Sequence, residues 1–228
     1  MDLNADKKSI QVKSNKQIFI ETLMIMVISL LFSFTTGGLK GLAQIAPIVY
    51  FLIERRRRNR TWSEVGFKFR NTLRDIKNNW YWVLIVVIGF QLLIILVGKF
   101  LLPDYIGYVK ERVPMVISTS TITSTITSMI ITIIIGAFLE EIAFRSLFQE
   151  RLSWFIKPTF SIFVTSIVFG FMHFAKGLPI IVSFDIFGII IDSIVYGIIY
   201  NKTKNIFASW ATHCLADIMA VILILILF

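Results

Sequence analysis

Six ionisable side chains stand in three stretches otherwise apolar enough to lie in a membrane: Glu140, Glu141 and Arg145 in GAFLEEIAFRSLF, His173 in FGFMHF, and His213 and Asp217 in ASWATHCLADI. The two histidines are all the imidazoles in the chain. An ionisable group at the centre of a bilayer costs about 3 kcal/mol or more unless it is paired or solvated, so each is a functional candidate. At about 100° per residue, Glu141 and Arg145 fall about 40° apart on a helix, which suits an ion pair. Glu140 points elsewhere and is left free to act. The same i,i+4 spacing puts Phe169 on the face of His173 and Asp217 on the face of His213. Taken singly, an intramembrane histidine is most often a helix-to-helix hydrogen bonder. Three such sites together ask for a chemical reading.

A carboxylate and two imidazoles in a water-filled pocket are the parts needed to hydrolyse a peptide bond. Glu140 could take a proton from water, one imidazole could position that water, and the other, oriented by Asp217, could donate to the oxyanion. Alternatively Glu140, His173 and His213 could hold a divalent ion such as zinc, with water in the fourth position. The residue types fit both schemes. Asp185 and Asp192, seven apart on one helix face, could border a polar cavity or pair with polar groups on other helices. They do not supply the two partnered aspartates on separate helices that an aspartyl protease needs. Neither HExxH nor GxSxG occurs.

The three motifs EExxxR (Glu140, Glu141, Arg145), FxxxH (Phe169, His173) and HxxxD (His213, Asp217) stand in order on successive apolar segments. In this the chain resembles the CPBP family, also called Abi, which includes CAAX prenyl endopeptidases and bacteriocin-processing or self-immunity proteins. The resemblance covers about residues 126 to 220; the N-terminal half is similar only in hydropathy. It implies a CAAX-protease-like all-helical core in which Glu140 activates water with help from His173. It further implies that Glu141 and Arg145 form a structural pair and that His213 with Asp217 stabilises the oxyanion. It favours a glutamate-dependent mechanism with no metal, zinc remaining the alternative. Asp217 stands where the prenyl endopeptidases carry Asn. An ionised carboxylate cannot donate a hydrogen bond, so Asp217 would have to be protonated or serve His213 instead.

The elements that must position these residues are helices. The chain is 56% hydrophobic and only 16% charged, with a mean hydropathy of +0.78, far more apolar than soluble domains. Apolar runs at 18–36, 41–53, 80–102, 126–151, 158–176, 180–201 and 205–228 predict an all-α polytopic transmembrane bundle of about seven helices, the second being short. Residues 1–17 are a polar, Lys-rich N-terminus with no small-x-small cleavage site after the following apolar run, as in an uncleaved signal anchor. Residues 18–228 are expected to form one membrane domain, with 126–220 as its catalytic core. The sole cysteine, Cys214, lies in the last apolar run, so no intrachain disulfide can form.

The net charge of +9 does not describe a nucleic-acid-binding face, because the basic residues cluster at the ends of apolar segments. With the N-terminus inside, eighteen of the 23 Lys and Arg residues fall on the inner side, Arg145 and Arg151 among them, against five outside: Lys40, Lys99, Lys110, Arg112 and Lys176. This predicts a multi-pass protein of the cell membrane with a cytoplasmic N-terminus and an external C-terminus. Residues 54–82 mix basic residues with Trp62, Phe67, Phe69 and Leu73, as a helix lying on an anionic inner leaflet would. The hydroxyl-rich run STSTITSTITS (118–128) could bond to neighbouring helices or line the outer entrance of the bundle.

One geometric conflict remains. Counted from the inner boundary, His173 lies fifteen residues up its helix and His213 eight, which leaves them roughly 10 Å apart in height. The substrate expected is a membrane-associated peptide or protein, such as a leader, pheromone or bacteriocin-type precursor. The rival readings are a non-catalytic immunity or scaffold protein and a small proton-coupled transporter.

Overall fold

A computed structural model describes residues 3–35, 38–112 and 122–227, and among these every regular element is helical. These described residues form nine helices. α1 (Leu3–Ser33) and α2 (Gly38–Arg57) form a hairpin. Then come the short α3 (Thr72–Asn78), α4 (Trp80–Leu101) with a π-turn at Ile85–Phe90, and the short α5 (Tyr105–Arg112). α6 starts as Ile122–Glu141, widens into a π-helix over Ile142–Gln149 and ends at Glu150–Leu152. α7 (Pro158–Met172), α8 (Pro179–Thr203) and α9 (Ile206–Leu227) complete the bundle. Each of the seven predicted segments is a helix, and among the described residues five helical stretches are long and apolar enough to cross a membrane. α7, with 15 residues, is shorter, and α2 ends in Arg55, Arg56 and Arg57. The protein is a multi-pass membrane bundle. Residues 118–121 of the hydroxyl-rich run lie outside the described residues.

Long-range polar contacts fix which helix ends lie together. Arg58 reaches Asn15, Arg57 reaches Glu21, and Lys204 reaches Glu150. Ser161 donates to the Gln149 carbonyl, Asn205 to Asp75, and Lys202 to the Tyr81 hydroxyl. One end of the bundle therefore gathers the start of α1, residues 54–81, the α6–α7 turn and the α8–α9 turn. The other end carries the α1–α2 turn, the α4–α5 turn and residues 173–178. There Phe34 lies against Phe174, with ring centroids 5.7 Å apart.

Two of the basic residues expected on the inner surface are not on a surface at all. Arg145 and Arg151 are fully buried, paired with Glu141 at 3.3 Å and with Glu54 at 2.6 Å. Both fall near an apolar segment's end, where a sequence shows the charge but not the partner. Removing them leaves sixteen basic residues against five, with the same asymmetry.

The stretch 54–82 is only partly the surface helix expected. Gly66 takes φ +95°, a conformation that glycine adopts at little cost, and the turn it makes folds the loop back under the bundle. Val65 is buried, and its carbonyl accepts from the Ser146 hydroxyl at 2.7 Å. Phe67 packs edge-on to Phe138 and Phe207, whereas Phe69 and Leu73 are exposed.

This loop also removes the height conflict. The Ile206 amide donates to the Gly66 carbonyl at 2.8 Å, so α9 begins at the level of Ser146. Ser161, already inside α7, lies level with Gln149. α9 thus starts nearer the glutamates than α7 does. The boundary assumed for the two helices was not a common plane.

Candidate active site

Glu140 and Glu141 are the last α-helical residues before the π-helix of α6. A π-segment bonds i to i+5, is rare, and recurs at functional sites. Here all eight of its residues are buried. The widened turn presents Arg145 and Gln149 to α8: Arg145 Nη2 donates to Ser193 Oγ at 2.9 Å, and Gln149 Nε2 to the Gly197 carbonyl at 3.0 Å.

The two glutamates part company as their spacing predicts. Glu141 is fully buried at the hub of a network joining α6 to α9. Its Oε2 accepts from Arg145 Nε at 3.3 Å and from the Ser209 hydroxyl, and its Oε1 lies 3.1 Å from His213 Nδ1. A buried charge this well partnered avoids the penalty of an orphan. Glu140 instead faces a cavity. Its Oε1 lies 3.6 Å from His173 Nε2 and its Oε2 3.8 Å from His213 Nε2, and its side chain keeps 18% exposure.

The histidine tautomers follow from their partners. His173 caps α7, and its Nδ1 lies 2.8 Å from the Phe169 carbonyl. A carbonyl only accepts, so Nδ1 carries the hydrogen and Nε2 is turned to Glu140. His213 is 4% exposed. Its Nδ1 hydrogen goes to Glu141, which leaves Nε2 facing Glu140 and, at 3.6 Å, Asp217 Oδ2. Phe169 packs against both imidazoles: its ring centroid is 4.5 Å from that of His173 and 5.8 Å from that of His213, with the Arg145 guanidinium 5.7 Å away. Tyr196 stacks on the other side of His213 at 4.5 Å. All seven residues of the three motifs are thus brought together.

A cavity of about 410 Å³ opens beside Glu140 and His173, between α1, α2, α6 and α7. Apart from these two residues its wall is largely apolar or small, including Met26, Ala43, Pro47 and Phe144, with Lys40 contributed by the start of α2. A smaller cavity of about 110 Å³ lies on the far side of His213, lined in part by Gln91, Asp185, Asp192 and Asp217. Gln91 Nε2 donates to Asp192 at 3.0 and 3.1 Å. The two aspartates of α8 therefore do share a polar cavity, and one has a partner on another helix. Gln91, Ser193 and Ser209 were not singled out in the sequence. A lone glutamine inside the apolar run 80–102 was the available signal for the first; the serines gave none.

A carboxylate and two imidazoles are donors that zinc accepts. Among the described residues, however, no three His, Cys, Asp or Glu side chains are grouped so as to hold a metal ion.

No curated protein and no solved structure matches the chain. A family model, that of the type II CAAX prenyl endopeptidase Rce1-like proteins, matches residues 122–219, from the start of α6 to beyond Asp217. That span holds Glu140, Glu141, Arg145, Phe169, His173, His213 and Asp217. Over this core the chain is similar to the CAAX-protease (CPBP) family of membrane endopeptidases.

Proposed function

We propose that the protein is an intramembrane endopeptidase that cleaves a membrane-associated peptide or protein with water activated by Glu140. The observation that carries this reading is the placing of the Glu140 carboxylate between the Nε2 atoms of His173 and His213, at 3.6 and 3.8 Å, on the wall of a cavity. These separations are too long for direct hydrogen bonds and leave room for a bridging water.

A water held by Glu140 and the Nε2 lone pair of His173 turns its own lone pair towards a carbonyl carbon in the cavity. Glu140 takes a proton as the water oxygen bonds to that carbon, and the carbonyl oxygen becomes an oxyanion. His213 is the donor to that oxygen. With Nδ1–H committed to Glu141, it needs a second proton on Nε2, and the carboxylates of Glu141 and Asp217 compensate the resulting charge. Asp217 serves His213 in this scheme and donates nothing itself. Collapse of the tetrahedral intermediate breaks the C–N bond, and Glu140 returns its proton to the leaving amine.

An immunity or scaffold protein that kept only the fold would have no use for a carboxylate opening onto a cavity between two imidazoles. The test compares the secreted and membrane peptides of cells carrying the wild type or Glu140→Ala. A precursor that accumulates uncleaved only in Glu140→Ala cells supports the protease; identical peptide sets at equal protein levels overturn it.

A further inference from the structure

Among the described residues, the wall of the cavity beside Glu140 runs out to one end of the bundle and is packed shut towards the other. Its wall climbs from Met26, Pro47 and Phe144 past Glu140 and His173 to Ser33, Lys40 and Gly41 at the α1–α2 turn and Ala175 after α7. These last residues lie at the end that carries the α1–α2 turn. Towards the opposite end the path is filled. Met26, Phe144, Phe148, Leu152 and Phe169 form one buried cluster, with Phe19, Leu23 and Ile48 packed against it. Beyond them the fully buried Glu54–Arg151 pair ties α2 to the end of α6.

The closed end is also the basic end. Arg55, Arg56, Arg57, Arg58, Arg60, Lys68, Arg70, Arg74 and Lys77 lie there, with Lys157, Lys202, Lys204 and the lysine-rich start of α1. The open end has Lys40, Lys99, Lys110, Arg112 and Lys176. Short connectors rich in Lys and Arg stay on the cytoplasmic side. A cavity sealed by apolar packing on that side cannot take a polypeptide from the cytoplasm without unpacking the core.

We propose that the catalytic cavity is served from the external face, so that the scissile segment belongs to a polypeptide already translocated across the membrane or exposed in its outer leaflet. The identity of the cavity as catalytic rests on the protease reading above; its direction of opening does not. α7 strengthens the case. Its 15 residues cover about 22 Å, so α7 ends at His173 short of a full crossing of about 30 Å. Residues 173–178 then form the rim at the open end. The mostly apolar wall with Lys40 near its mouth suits an extended apolar segment entering sideways from the outer half of the bilayer.

Cysteine accessibility tests this without needing cleavage. Cys214, the only cysteine, is replaced by Ala, and single cysteines are introduced as Gly41→Cys, Ala175→Cys and Lys77→Cys. A side chain at Gly41 meets nothing within 4 Å, so this change fits without strain. A membrane-impermeant anionic thiol reagent is applied to intact cells and to inverted vesicles. The expected result is that Gly41→Cys and Ala175→Cys react in intact cells and Lys77→Cys only in inverted vesicles. Reaction of both cavity cysteines only in inverted vesicles, or of neither in either preparation, overturns the proposal, as does a Lys77→Cys that reacts in intact cells. Agreement between the two cavity positions guards against one variant that misfolds. In the same cells, a bulky adduct on Gly41→Cys added from outside should stop accumulation of the cleaved product. External labelling in cells where Glu140→Ala changes no peptide would retain the direction of opening and sink the protease reading. Glu140-dependent cleavage with labelling only from inside would do the reverse.

Discussion

Glu141 Oε1 lies 3.1 Å from His213 Nδ1 across the α6–α9 interface, so the carboxylate that neutralises Arg145 also orients the imidazole beside Glu140. The motif partner of Arg145 is therefore a positioning residue as well as half of an ion pair. Substitutions at 141 and 145 separate the two duties. Glu141→Gln strands the Arg145 charge in the bundle, where breaking a buried pair costs about 3–5 kcal/mol. Its accumulation and thermal stability should fall sharply. Glu141→Gln combined with Arg145→Gln leaves no orphan charge and should accumulate better. It should still cleave slowly, because a neutral amide replaces the carboxylate facing His213. Protein level, melting temperature and initial rate in one membrane preparation check both halves; a double variant as fast as the wild type would deny Glu141 its role towards His213.

Glu54 and Arg151 make the same kind of pair without touching the candidate site, 2.6 Å apart and 1% and 0% exposed. Glu54→Ala should cost about 3–5 kcal/mol of stability by leaving Arg151 uncompensated. The rate per folded molecule should change little. Thermal unfolding in detergent together with active-fraction-corrected rates decides this, and an unchanged melting temperature would contradict the burial of the pair.

Close approach of α7 to α8 depends on Gly170, where a Cβ would come within 2.5 Å of Ile190 Cγ1. Gly170 is three residues before His173. Gly170→Ala should destabilise by about 1–3 kcal/mol through overpacking and should lower the cleavage rate by displacing the end of α7. Adding Ile190→Ala opens the space and should restore much of both. Failure of the second change to rescue the first would mean that the contact does not set the position of His173.

If Glu140 activates water directly, cleavage should survive removal of divalent ions. Purified protein dialysed against a strong chelator should keep its initial rate. Loss of the rate, with recovery on adding zinc alone, would move Glu140, His173 and His213 into the role of metal ligands.

Much of this site was legible in the sequence because membrane helices admit few ionisable residues, so those present stand out. Helical spacing was enough to pair Glu141 with Arg145 and to turn Glu140 away from them. It could not reach contacts between helices: Ser209 and His213 lie 68 and 72 residues from Glu141, and Gln91 lies 101 from Asp192. Arg151 was misread for the same reason, since a charge near a segment's end looks topogenic until its partner on α2 is seen. The π-helix and the level at which α9 begins depend on how the loop at 61–68 packs, and no periodicity announces either.

The central claim is that Glu140, and not its neighbour, activates the attacking water, and Glu140→Gln tests it most directly. The change keeps the side chain's volume and removes the base. In proteoliposomes carrying a cleavable precursor, its initial rate should fall about 10²-fold or more, as expected for loss of general-base catalysis, while its melting temperature stays close to that of the wild type. A well-folded Glu140→Gln protein that cleaves at the wild-type rate would contradict the account.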